Sequence, residues 1–199
     1  MTDILTLLEE LQSIARTGLN YSTDPYARAH YTRLLEIAAT QYGQALDLPP
    51  DEVRARLQGE LGSITPKVGA DAAIFDEAGR ILLVERSDDR RWGLPAGWVD
   101  PNEAPMNTVQ REAREELGLE VEPVQLVDVM FRPASAEYGP HAVVSIVYLC
   151  QVRGGEITLS HEVLAARYWV IDEVPAWHKD HLKFARAAHT VWTARRVPV

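Results

Sequence analysis

Residues Gly97 to Leu119 read GWVDPNEAPMNTVQREAREELGL, and they meet the pattern G-x5-E-x7-R-E-U-x-E-E-x-G-U, with U an aliphatic residue, at every specified position. The fixed residues are Gly97, Glu103, Arg111, Glu112, Glu115, Glu116 and Gly118. At average usages of about 5–7% each, chance supplies such a match on the order of 10⁻⁹ times per start position. With Asn107 or Thr108 as the expected cap and Gly118 as the stop, Val109 to Leu117 is predicted to be a helix. Val109, Ala113 and Leu117 recur at i, i+4 and form a stripe suited to packing on a sheet. Glu112, Glu115 and Glu116, spaced i, i+3, i+4, share another face, expected to point to solvent. Like charges this close repel, and carboxylates late in a helix oppose its macrodipole, so the arrangement calls for a compensating cation. An oxygen-only ligand set without cysteine or histidine favours Mg²⁺ or Mn²⁺ over zinc.

This run resembles the signature of the Nudix hydrolases, and the resemblance implies the chemistry. The implied metal ligands are the Gly97 carbonyl, Glu112, Glu115 and Glu116. Glu115 is also a candidate catalytic group, and Arg111 and Glu103 are expected to orient the carboxylates. A further metal-binding or water-activating glutamate is expected in a loop outside the run. Glu162, in Ser160-His161-Glu162, is the candidate, with Glu137 in the 132–140 connection as its competitor. The implied substrate is a nucleoside diphosphate linked to another moiety. Trp98 is a candidate for stacking on the base and Arg132 for gripping a phosphate. Members of the family usually carry two glycines where this chain has Ala96-Gly97, a departure that leaves the carbonyl role intact.

Around this run the pattern is one of strands and turns. Val68 to Phe75 and Arg80 to Glu85 are read as a hairpin across Asp76–Gly79; Val124–Phe131 and His141–Val152 are read as further strands. Ile157, Leu159 and Tyr168–Ile171 are expected to close the sheet, and a last helix is expected from about Lys179 or Asp180 to Arg196. His178, His181 and His189 are too scattered to suggest a metal set. The fold class expected from strands and two crossover helices is α/β, a Nudix α/β/α sandwich with a mixed sheet.

A small all-helical domain is expected before it, with residues 1–63 helical and 64–199 catalytic. Ile4, Leu7, Leu8, Leu11, Ile14 and Ala15 mark a first helix ending at Gly18. Asp24-Pro25 opens a second that runs towards Gly43, and Pro50-Asp51 a third that carries Val53, Leu57 and Leu61. The apolar arc of the first helix is wider than two short neighbours need, so it is expected to pack on the catalytic domain or on a second subunit, and a homodimer is the prediction. Leu11 to Ser22, Asp24-Pro25-Tyr26 and Trp92 to Trp98 resemble bacterial Nudix enzymes with a helical amino-terminal extension. Those include CDP-choline pyrophosphatases and relatives that act on ADP-ribose. CDP-choline, split to CMP and phosphocholine, is the first substrate expectation, and ADP-ribose, split to AMP and ribose 5-phosphate, the alternative. A reading from another class is a non-hydrolytic nucleotide sensor, disfavoured by the complete signature.

The 199 residues carry a formal net charge of -9 and one cysteine. That balance disfavours a stable nucleic-acid complex, for want of basic runs to meet phosphates. No stretch is apolar and long enough for a membrane span, and the amino terminus lacks the basic start of a signal peptide. The lone Cys150 excludes an intrachain disulfide and makes a cytoplasmic setting the expectation.

Overall fold

The computed structural model describes residues 4–59, 65–100, 103–135 and 141–196. They fall into two compact units, Met1–Lys67 with Phe131–Val143, and Val68–Met130 with Val144–Val199.

The first unit contains α1 (Ile4–Tyr21), α2 (Pro25–Leu46) and α3 (Pro50–Gln58). The α2 start follows from its sequence: Asp24 caps it by accepting from the Ala27 amide at 2.9 Å, and Pro25 supplies a preset φ where no amide partner is needed. Leu8, Ala15, Leu19, Leu35, Ala39, Tyr42, Val53 and Leu57 close the core between the three helices. Two expected stops fail, because α1 runs through Gly18 and α2 through Gly43. An interior glycine costs a helix only about 1 kcal/mol, which packing of the apolar faces outweighs. Leu61 lies outside the described residues.

The strands lie in the second unit apart from the end residues Lys67, Phe131, Arg132 and Val143, and hydrogen bonding gives a four-stranded sheet in the order β4-β1-β6-β5 and a three-stranded sheet in the order β3-β2-β7. The strands are β1 (Lys67–Ile74), β2 (Ile81–Arg86), β3 (Trp92–Gly93), β4 (Ala96–Trp98), β5 (Leu119–Arg132), β6 (Val143–Gly155) and β7 (Val163–Trp169). The β1–β2 connection is not the expected hairpin. After a single antiparallel bridge, Phe75 to Ile81, the two strands part. β1 is flanked by β4 and β6, while β2 is flanked by β3 and β7, so neither has a free edge for the other. Asp76 holds the turn between them, accepting from the Ala78 and Arg80 amides at 3.0 and 2.9 Å. Ile157 and Leu159 lie in an irregular segment, and the closing strand is β7.

Side-chain alternation then decides which helix covers which face. Ala72 and Ile74 of β1 and Leu82 and Val84 of β2 pack with Val109, Ala113 and Leu117 of α4 (Pro105–Leu117). Ala73, Ile81 and Leu83 point the other way and pack with Phe184, Ala185 and Ala188 of α5 (His181–Arg196). Helix, strands, helix is the layer order expected from the sequence.

Candidate active site

The site forms where β4 leads through a loop into α4. The helix starts four residues before the expected Val109, with Pro105 in its first turn and Ala104 as a cap residue without a side-chain acceptor. Thr108 is not the cap. Its hydroxyl donates to Glu103 at 2.7 Å and so ties the loop to the first turn of α4. The helix ends as predicted at Gly118, which sits at φ 68°, with its amide bonded back to Arg114.

Arg111 braces the site. Its guanidinium donates to Glu103 twice at 3.0 Å, to Glu112 at 2.7 Å, to Glu115 at 3.2 Å and to the Trp98 carbonyl at 3.0 Å. These bonds raise the Arg111 pKa and, with the Thr108 hydroxyl, hold the Glu103 carboxyl down at about 2. Glu103 is therefore a fixed anion rather than a proton carrier.

The carboxylate face divides. Glu115 is exposed, but Glu112 is largely covered and Glu116 is only 6% exposed, so the expectation that the whole face meets solvent is corrected. Glu116 lies on the side of α4 turned towards β4, where the Ala96 amide donates to it. Burial first, then the field of Glu112, pushes its pKa up to about 8. Its Oε2 is buried with no hydrogen-bond partner. Burial also raises Glu112, against the opposing pull of Arg111. The Gly97 backbone passes so close that a Cβ there would lie 1.8 Å from Glu112 Oε1, so any side chain at this position would displace the Glu112 carboxylate.

Among the described residues, no three histidine, cysteine, aspartate or glutamate side chains are gathered into a group that could hold a metal ion. What is present is a buried oxygen on Glu116 without a hydrogen-bond partner, the Glu112 carboxylate, a glycine backbone with no side chain in the way, and Glu115, exposed and bonded to Arg111. All donors are oxygens. That set fits a hard divalent cation, which would satisfy the orphan and relieve the repulsion.

Glu162 is the other carboxylate brought to this place. It stands on the loop before β7; its carbonyl accepts from the Ser87 amide at 3.0 Å, and the neighbouring Ser160 amide donates to the Glu116 carbonyl at 3.2 Å. Its negative charge raises both Glu112 and Glu116. The side chain itself is exposed. Glu137 lies outside the described residues. Trp98 is 58% exposed at the end of β4, beside Gly97. Arg132, at the end of β5, belongs to the first compact unit and Trp98 to the second.

Sequence reasoning missed Arg86, the last residue of β2. It grips Asp88 through two bonds of 3.0 and 2.8 Å, and its charge acts on Glu116. Asp88 is held down to about 2 chiefly by that contact. An arginine ending a strand carried no spacing signal.

The comparisons agree with the geometry. The NUDIX domain family matches residues 65–188, and residues 2–57 match the family described as "UDP-X-like, N-terminal oligomerisation domain". The chain belongs to the Nudix family and is a pyrophosphohydrolase of that family, acting on phosphoric anhydrides. It is 29% identical to the "Putative ADP-ribose pyrophosphatase YjhB" of Bacillus subtilis, over 87% of this chain and 84% of that one. To the ADP-ribose pyrophosphatase of Methanocaldococcus jannaschii it is 31% identical, over 61% of this chain and 72% of that one. Among solved structures, an ADP-ribose pyrophosphatase of Streptococcus suis superposes with a TM-score of 0.55 at 30% identity, covering 68% of this chain and 96% of that one. A UDP-X diphosphatase structure covers 98% of this chain and 96% of its own with a TM-score of 0.60, and at 23% identity it shows the shared fold.

Proposed function

We propose that this enzyme hydrolyses the pyrophosphate link of ADP-ribose, giving AMP and ribose 5-phosphate, with Mg²⁺ or Mn²⁺ held by the Gly97 carbonyl, Glu112, Glu115 and Glu116. The observation that carries the metal reading is the buried, partnerless Oε2 of Glu116 beside Glu112. The substrate reading is supported by the similarity to relatives named as ADP-ribose pyrophosphatases. CDP-choline, the first expectation from the sequence, is kept as the alternative substrate.

When bound, the cation would neutralise pyrophosphate oxygens and lower the pKa of a coordinated water. The residues of the chain supply the rest. Arg111 fixes Glu103, Glu112, Glu115 and the Trp98 carbonyl relative to one another, so the acidic cluster is preorganised rather than gathered on binding. Glu162, exposed and close enough to act on Glu112 and Glu116, is the proposed acceptor of the proton from the attacking water. The water oxygen bonds to one phosphorus, the bridging P–O bond breaks, and the second phosphate leaves with the bridging oxygen. Trp98 offers an exposed indole face to the adenine. Arg132 carries no part of this reading.

The first helix is the proposed dimer surface. Ile4, Leu7 and Ile14 stand exposed on it, and the family matching residues 2–57 is described as an oligomerisation domain. No helix among the described residues is long and apolar enough to cross a membrane. Cys150 is buried, which raises its thiol pKa to about 12, and the proposed setting is the reducing cytoplasm.

Incubation with ADP-ribose, CDP-choline and a UDP-linked sugar in Mg²⁺, with products identified by mass, tests the substrate. AMP and ribose 5-phosphate at the highest kcat/KM are expected. Preferential release of CMP and phosphocholine would replace ADP-ribose by CDP-choline.

A further inference from the structure

Between β2 and β3 the chain makes a tight turn, residues 87–91, and three of its groups serve the site. Arg86, where the turn begins, places its charge on Glu116. Asp88 holds that guanidinium by two bonds. The Ser87 amide donates to the carbonyl of Glu162 at 3.0 Å. A shift of this turn would therefore move the surroundings of Glu116 and Glu162 together.

Backbone bonds close the turn, from the Arg86 amide to the Arg91 carbonyl at 3.0 Å and from the Arg90 amide to the Arg86 carbonyl at 3.1 Å, and Asp89 ties it to the residues before α5. One carboxylate oxygen accepts from the Arg91 amide at 3.0 Å, closing the turn on itself, and the other meets His178 Nδ1 at 2.6 Å. His178 is anchored in its own right. Its amide donates to the Trp92 carbonyl at 2.8 Å, and its carbonyl accepts from the His181 amide at 3.0 Å. Its ring packs edge-on against that of His181, with centroids 5.0 Å apart. His181 in turn accepts the Leu94 amide on Nδ1 at 3.0 Å. The imidazole is thus buried on a rigid base, with one nitrogen directed at a carboxylate on a turn that carries site residues. A contact this short with a carboxylate requires the proton on Nδ1.

We infer that Asp89 and His178 form a positioning pair that clamps the 87–91 turn and so sets the placement of Arg86 and Glu162 for hydrolysis. Neither residue touches the reacting atoms. The inference rests on the proposed role of Glu162, and it accounts for why a buried histidine far along the chain is spent on a surface turn. Here the ring bond spans from the residues before α5 to the far end of β2, and the other bonds of that turn lead to the site.

The test uses His178→Ala, with His178→Asn as the rescue because its amide nitrogen stands near the position of Nδ1. Asp89→Ala replaces His178→Ala if the latter does not fold. Two readouts are taken, hydrogen exchange at the Ser87 amide in substrate-free protein and steady-state hydrolysis of ADP-ribose in Mg²⁺. In His178→Ala, Ser87 exchange is expected to quicken at least about 10-fold. kcat is expected to fall at least about 10-fold with KM within about two-fold, the scale on which a small misplacement acts. His178→Asn should restore both. Unchanged Ser87 protection in a folded His178→Ala overturns the clamp, and so does equal loss of kcat in the Ala and Asn variants. If the wild type does not turn over ADP-ribose, the substrate reading fails, and Ser87 exchange alone decides the clamp. A kcat effect of His178→Ala with none from Glu162→Gln would instead place the fault in the role given to Glu162.

Discussion

Helices α4 and α1 both carry an apolar stripe, yet they spend it differently. In α4, Val109, Ala113 and Leu117 are all fully buried, and what remains unsatisfied is charge. In α1, Leu8, Ala15 and Leu19 are buried in the three-helix core, while Ile4 at 51% and Ile14 at 49% exposure are left over. For α4 the proposed remedy is a divalent ion at Glu112 and Glu116, and for α1 the proposed remedy is a second copy of the chain on Ile4, Leu7 and Ile14.

The largest effect should come from removing the charge of α4. Glu112→Gln or Glu116→Gln should lower kcat at least about 10²-fold, the scale of a lost transition-state electrostatic group, with the far-UV circular dichroism spectrum unchanged. Because the buried carboxylate is a burden without its cation, Glu116→Gln should not be less stable than the metal-free wild type. Glu162→Gln should reduce kcat about 10-fold or more with little change in KM, which steady-state kinetics would read. An unchanged kcat would return Glu162 to the class of solvated loop charges.

The same logic separates the residues of α1. Leu8→Asp puts an unpaired charge into the three-helix core and should cost about 3–5 kcal/mol, unfolding the helical unit. Leu7→Glu with Ile14→Glu changes only exposed positions and should leave the helices folded while splitting the dimer. Sedimentation at micromolar concentration would show the shift, and a monomeric wild type would remove the dimer from the account.

The most gradual predicted effect is on stability against pH. Glu116 is pushed from the ordinary value of 4.5 to about 8, so between those limits the folded chain holds a proton that the unfolded chain has lost. Stability of the metal-free enzyme should therefore fall as pH rises from about 4.5 to about 8 and level off above, by at most about 5 kcal/mol. Saturating Mg²⁺ should flatten that slope, because the ionised carboxylate then has its counter-charge. Thermal melts across this range, with and without EDTA, measure it.

What the sequence made legible follows from the range of the interaction. The α4 stripe, its stop at Gly118 and the Asp24-Pro25 start are local, and periodicity and capping chemistry reveal them. The burial of Glu116 is not local, since it depends on β4 lying across α4 and on the Ala96 amide. The partition of β1 and β2 into different sheets depends on which strands flank them, which the turn at Asp76 does not encode. Thr108 reads as a cap, but in the fold its hydroxyl goes to Glu103, because Pro105 already starts the helix. Arg86 and the Asp89–His178 contact join positions with no shared period or motif. Only the folded chain brings them to one place.

The proposed role of the buried Glu116 carboxylate is to hold a divalent cation for pyrophosphate hydrolysis. The direct measurement is hydrolysis of ADP-ribose by the wild type and Glu116→Gln, each in Mg²⁺ and in excess EDTA, with AMP and ribose 5-phosphate counted by mass. Turnover by the wild type in Mg²⁺ alone, abolished by EDTA and reduced at least about 10²-fold in Glu116→Gln, is the predicted result. Full turnover by Glu116→Gln in excess EDTA would contradict it.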